Sequence, residues 1–74
     1  MPRTTLVFRL SSARIQEDLL REFSLHPGVD ASPHVVDGAP TVTVEVSDAA
    51  SAVLDVRATV GMFDDRASEV EGQG

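Results

Sequence analysis

Residues 41–46, Thr-Val-Thr-Val-Glu-Val, alternate apolar and polar side chains without a break. A period of two has one structural meaning: a β-strand with Val42, Val44 and Val46 turned inward and Thr41, Thr43 and Glu45 turned outward. A strand of this kind needs a cover for its apolar face and neighbours for its backbone, so the other elements must supply both. Residues 5–10 repeat the pattern, with Leu6, Phe8 and Leu10 on one side and Thr5, Val7 and Arg9 on the other. From Ala13 the period lengthens. Ile15, Leu19 and Phe23 recur at i, i+4 and i+8 with Leu20 beside them, the stripe of an amphipathic helix. Glu17 and Arg21 have the spacing of an i,i+4 ion pair. Pro27 and Gly28 in "HPGV" bound this helix.

Between that helix and the alternating strand lies "ASPHVVDGAP". Asp37-Gly38 is a hairpin-turn signal, so residues 31–36 read as a strand paired with 41–46. Pro33 cannot donate to a ladder, which sends its strand to an edge of the sheet. Ser47 or Asp48 is expected to cap a second helix carrying Ala49, Ala52, Val53, Val56 and Val60, with Gly61 as its end. The order β-α-β-β-α, with room for a last β, describes an α+β, ferredoxin-like sandwich: an antiparallel sheet with two helices on one face. Residues 1–63 make that domain. Residues 64–74 read as a short edge strand, into which Met62, Phe63 and Val70 would fall, and an acidic, frayed tail.

The length of 74 residues leaves no room for a second core. A domain this small buries only about 60% of the surface its unfolded chain exposes, so such domains lean on disulfides, metals or association. There is no cysteine, which removes disulfides, thiolate metal sites and cysteine nucleophiles at once. Association, as a homodimer or with a larger protein, gains weight accordingly. Twelve acidic residues against six arginines give a net charge of -6, which opposes docking on nucleic acid or on an anionic membrane. The N-terminal residues have no apolar run of signal-peptide or membrane-spanning length, so a cytoplasmic location is expected.

The run "LVFRLSSARIQEDLLREFSLHPGVDASPHVVDGAPTVTVEV" resembles the heavy-metal-associated domain of copper chaperones and metal-transporting ATPases. That family runs strand, Met-x-Cys-x-x-Cys, helix, Leu-x-Gly-Val, strand, turn, Val-Thr-Val. Gly28-Val29 and Val42-Thr43-Val44 match its later motifs, and Leu19 and Phe23 fall on its apolar helix positions. The resemblance covers residues 5–60. In its register Leu10 takes the place of the methionine, and Ser12 and Ile15 take the places of the two cysteines. A hydroxyl and an alkyl group do not hold a soft ion. The resemblance therefore implies the scaffold and a degenerate metal loop.

The same junction, "LSSARI", has a plainer use: Ser12 caps the first helix by accepting from the amide of Arg14 or Ile15. Ser11, Ser12 and Arg14 at a helix start would also suit a carboxylate or phosphate. His26 and His34 are the only imidazoles; a zinc site there needs a further ligand such as Asp30 or Asp37. Asp64, Asp65, Glu69 and Glu71 lack the order of a calcium loop and read as solvated. No nucleophile elbow is present and no catalytic residue is assigned.

What remains is the outward sheet face of Thr5, Val7, Arg9, Thr41, Thr43 and Glu45, with the edge strand around Val35 and Val36. The leading expectation is a non-enzymatic interaction or assembly module with no cofactor and a protein partner or a second copy of itself. Two others stand beside it: a metal-binding or chaperone-like protein using histidine, carboxylate or intersubunit ligands, and a small-molecule sensor or small enzyme formed at a dimer interface.

Overall fold

The computed structural model describes residues 2–70. Its elements run β1 (Arg3–Arg9), α1 (Ala13–Phe23), β2 (Asp30–Val36), β3 (Ala39–Ser47), α2 (Ala50–Phe63) and β4 (Ser68–Val70). The strands form one antiparallel sheet in the order β2-β3-β1-β4. Each helix thus crosses over one intervening strand, which gives the two interleaved βαβ halves of a ferredoxin-like α+β fold.

The period-two residues do what alternation requires. Leu6, Phe8 and Leu10 join Val42, Val44 and Val46 beneath the helices, where Leu19 and Phe23 of α1 and Val56 and Val60 of α2 close the core. Leu19, Val42 and Val44 have no exposed surface at all. The long β1–β3 register, Arg3 opposite Ser47 through Arg9 opposite Thr41, keeps both inward sets on the same side. Pro33 sits on β2, an edge strand, as its missing donor demands. Asp37 and Gly38 both take positive φ, 52° and 77°, the backbone of a two-residue type I′ hairpin turn. Gly28 also has positive φ, 79°, where the chain leaves α1 for β2. Arg3 ties down that same corner through one guanidinium nitrogen, donating to Asp30 Oδ2 at 3.0 Å and to the Glu45 carbonyl at 3.0 Å.

Four local expectations fail. Arg21 pairs with Asp18 at 3.6 Å, one turn back at i−3, and not with Glu17. Neither Ser47 nor Asp48 is the cap of α2. The N-cap is Ala49, which accepts from Val53 N through its carbonyl and has no side-chain bond to give; Ser47 Oγ accepts from the Ala49 amide instead, one step too early. Gly61 does not end α2 either, because the Asp64 amide still reaches the Val60 carbonyl at 2.9 Å. Met62 and Phe63 accordingly belong to α2, and only Val70 of the three enters the last strand. β4 pairs with β1, Val7 opposite Val70. Of the strand and acidic tail expected over 64–74, residues 64–70 are ordered through Asp64 and β4, and residues 71–74, with Glu71, lie outside the described residues.

Candidate functional site

At the β1–α1 junction the chain leaves the sheet at Leu10, whose amide donates to the Pro40 carbonyl at 2.8 Å. Two residues later Ser12, in extended backbone, caps α1: its Oγ accepts from the Ile15 amide at 3.2 Å. Ser12 and Ile15, the pair expected to stand in place of two metal-binding cysteines, are thereby joined to each other, hydroxyl to amide. Ile15 itself is half-buried and packs on the core.

Ser11 is held from the far end of the chain. Its amide donates to Asp64 Oδ2 at 2.7 Å and its hydroxyl to Asp64 Oδ1 at 3.0 Å. Asp64 Oδ1 also accepts from the Arg66 amide at 3.0 Å, an Asx-type turn that leads the chain from α2 into β4. Burial raises the Asp64 carboxyl, but the bonds from Ser11 and Arg66, with the charge of Arg66, outweigh it and hold the group below its ordinary value. Asp64 is only 5% exposed, so it is not the solvated tail residue expected from its neighbours. The anion expected at Ser11, Ser12 and Arg14 has an occupant in part: an internal carboxylate takes the Ser11 donors, Ser12 is spent on the cap, and Arg14 is exposed.

The histidines do not converge on a ligand set. His26 Nε2 lies 3.0 Å from Glu22 Oε2, one turn earlier on α1, with its ring edge-on to Phe23. His34 lies exposed on β2, and its carbonyl accepts from the Gln16 side chain, which also donates to the Thr41 carbonyl. Among the described residues no three His, Cys, Asp or Glu side chains gather as metal ligands, Asp30 and Asp37 included. Asp30 is engaged by Arg3, and Glu69 by Arg57, whose Nε and Nη2 reach its two oxygens at 2.8 and 3.1 Å. The Arg57 hydrogen bond draws the Glu69 carboxyl below its ordinary range, against the smaller effect of burial.

The outward sheet face carries Thr5, Val7, Arg9, Thr43 and Glu45 at alternating register positions, with Ser32, His34 and Val70 in neighbouring strands. Thr41 is a correction. It is 2% exposed, its hydroxyl donates to the Ala39 carbonyl, and its place between Arg9 and His34 leaves it no free surface. Val35 is 72% exposed on the edge strand, in the register that faces the helices and not the open face. No polar side-chain atom is buried without a partner among the described residues, and no pocket opens among them.

Two features had no counterpart in the sequence reading. One is the Asp64 latch, whose partners stand 53 residues apart and share no motif. The other is the outer surface of α2, where Leu54 is 62% and Met62 84% exposed. That one had a signal: across 14 residues α2 bears only Asp55 and Arg57 as charges, so it is apolar on nearly every side. No helix among the described residues is long and apolar enough to cross a membrane.

The class these observations define is a ferredoxin-like α+β sandwich with a self-satisfied interior. No family model, no curated protein and no solved structure matches the chain.

Proposed function

We propose that the protein is a non-enzymatic assembly module that works by burying its own exposed apolar residues against another protein surface. One observation carries this reading. Ten hydrophobic residues form the core, yet seven large ones remain exposed among the described residues: Leu25, Val35, Val36, Leu54, Met62, Phe63 and Val70. Scattered single apolar residues are ordinary on a protein surface. On a domain with so little core, we read this exposed apolar surface, Leu54 and Met62 on the outer side of α2 above all, as available for contact.

The heavy-metal-associated resemblance fits this reading as a scaffold whose loop between β1 and α1 has been closed by Ser12 and Asp64. Native mass spectrometry of protein purified from its own host tests the proposal. A defined stoichiometric complex that is lost on Leu54→Glu or Val7→Glu supports it. A bare monomer insensitive to both, or a chain carrying a stoichiometric metal or small ligand, overturns it.

A further inference from the structure

Strand β4 adds almost nothing to the core. All ten core residues lie between Leu6 and Val60, whereas Ser68, Glu69 and Val70 are every one exposed. Between Asp65 and Val70 only Ala67 packs against the core, and it is partly buried. What holds β4 is a three-residue ladder and the two bonds from Arg57 to Glu69.

The ladder resolves amide by amide. Leu10 N donates to the Pro40 carbonyl and Asp48 N to the Pro2 carbonyl, and both pairs continue the β1–β3 register. Bonding alternates along an antiparallel pair, so Thr4, Leu6 and Phe8 turn their backbone groups toward β3. Val7 and Arg9 turn theirs the other way, toward Val70 and Ser68. Lifting β4 therefore frees the backbone of Val7 and Arg9 and the guanidinium of Arg57, and leaves the β1–β3 ladder whole. The Asp64 latch is the fixed point of that movement. It binds the end of α2 to Ser11, just beyond β1, so Arg57 keeps its place when β4 leaves.

The vacated edge suits another strand better than the far edge does. By the same alternation Ala31, Pro33 and Val35 turn outward on β2, and Pro33 has no N–H to offer. Among the described residues β4 takes only three of the seven positions along β1. A longer extended segment can take them all, an advantage in backbone bonds over its tethered rival. β4 also displays the chemistry required: a carboxylate opposite Phe8 for Arg57, and an apolar residue opposite Val7.

We infer that the outer edge of β1 is a strand-acceptor site, with β4 as its displaceable internal occupant and an extended, glutamate-bearing segment of a partner protein as its external one. The partner rests on the assembly-module reading; the opening of β4 stands without it.

Native-state hydrogen exchange in urea below the unfolding transition tests the opening. After correction for intrinsic rates, the Val7 and Arg9 amides should exchange at least about tenfold faster than Leu6 and Phe8, with little dependence on urea. If they share the rate and the steep urea dependence of Phe8, β4 opens only with the whole domain and the inference falls.

The probe for acceptance is a capped peptide, Ala-Ser-Glu-Val-Val-Thr-Val, which repeats residues 67–70 and continues opposite Leu6, Thr5 and Thr4. A tether gives β4 an effective concentration of about millimolar, so the titration uses the Glu69→Gln chain, whose internal strand lacks the charge for Arg57. The peptide should shift the Val7 and Arg9 amide resonances saturably at about millimolar concentration. The same peptide with glutamine for glutamate should bind about two- to fivefold more weakly. No shift, shifts confined to β2, or equal binding of the two peptides overturns the acceptor site. None of these results touches the assembly reading, which is decided by the host complex in native mass spectrometry. A bare monomer there overturns the partner, while exchange still decides the opening.

Discussion

Replacing Asp64 should cost more than any other exchange of a polar residue in this chain. The carboxylate accepts from Ser11 N, Ser11 Oγ and Arg66 N at 2.7, 3.0 and 3.0 Å while only 5% exposed. Hydrogen bonds to a charged group contribute about 1.5–3 kcal/mol each, net of exchange with water, and less where the donor is exposed. Ser11 and Arg66 are both exposed residues and will be largely rehydrated, so Asp64→Ala should lose about 2–4 kcal/mol in total. Typical stability per residue implies roughly 4–11 kcal/mol for a 74-residue chain, which makes this a large part of the whole.

Asp64→Asn separates charge from shape. With its oxygen at the Oδ2 position the amide group keeps the Ser11 N–H bond, but its NH2 then points at the Arg66 N–H. Of the two bonds Oδ1 accepts, the one from Arg66 N becomes a donor–donor contact, while the Ser11 hydroxyl keeps its bond only by turning to accept from the NH2, an intermediate cost of about 1–2 kcal/mol. Ser11→Ala loses a single bond, about 1 kcal/mol.

The pH dependence has a definite sign. The folded-state pKa is lowered, so the stabilisation is fully present above the unfolded value of about 4 and disappears as pH falls through the folded value. The gap between wild type and Asp64→Asn should therefore be constant near neutral pH and narrow only below about pH 4. Urea unfolding at low protein concentration reads all of this. With a slope near 1 kcal/mol/M, Asp64→Ala should lower the midpoint by roughly 2 M or more at unchanged slope. A shift under about 0.5 M, or Asp64→Asn matching wild type at pH 7, would refute the latch.

Three further outcomes can be checked with the same material. Ser12→Ala removes the α1 cap and should destabilise by about 1 kcal/mol in urea unfolding, whereas Ser12→Gly should cost only a few tenths. Leu19→Ala empties a fully buried site and should lose about 2–5 kcal/mol, enough to leave part of the chain unfolded at room temperature by circular dichroism. Ser12→Cys with Ile15→Cys should acquire Cu(I) or Zn(II) binding by calorimetric titration; a folded double variant that binds neither removes the main support for the metal-loop register.

The β-strand and helix patterns were legible because alternation and the 3.6-residue stripe are local signals, and the core obeyed both. Val42, Val44 and Val46 pack where their period puts them, and Pro33 lies on the edge where its missing donor sends it. Errors collected where a residue type has two uses. Gly61 reads as a helix stop but lies within α2, since glycine ends a helix only where positive φ is adopted. Ser47 and Asp48 read as caps, yet the backbone turns in at Ala49, which has no capping side chain, so the local signal favours the two residues that are not used. Thr41 alternates outward with Thr43 but is buried between neighbouring strands, an effect of sheet order and not of its own strand. Asp64 was least legible. Its acidic neighbours suggest a solvated run, while its partner Ser11 is 53 residues away and meets it only because β1 and α2 are brought together by the sheet.

That meeting bears on where activity can lie. A strand-to-helix junction is a common place for a site because the first amides of a helix point outward, unpaired and partly positive. Here one of those donors, Ile15 N, goes to the Ser12 hydroxyl, and Ser11 N, just before the helix, goes to a carboxylate carried by the far end of α2. An external anion would have to displace an internal one that is covalently tethered and already placed, a competition that effective concentration decides for the internal group. The same bonds fix the C-terminal end of α2 against the start of α1, which stiffens α2 where it carries Gly61 and Met62. A rigid helix loses less freedom on pairing than a fraying one. The latch thus takes the Ser11 donors away from any external anion and, through the same contact, steadies the end of α2 that carries the exposed Met62. If the assembly proposal holds, Asp64→Ala should weaken the complex read by native mass spectrometry even under conditions where the domain remains folded.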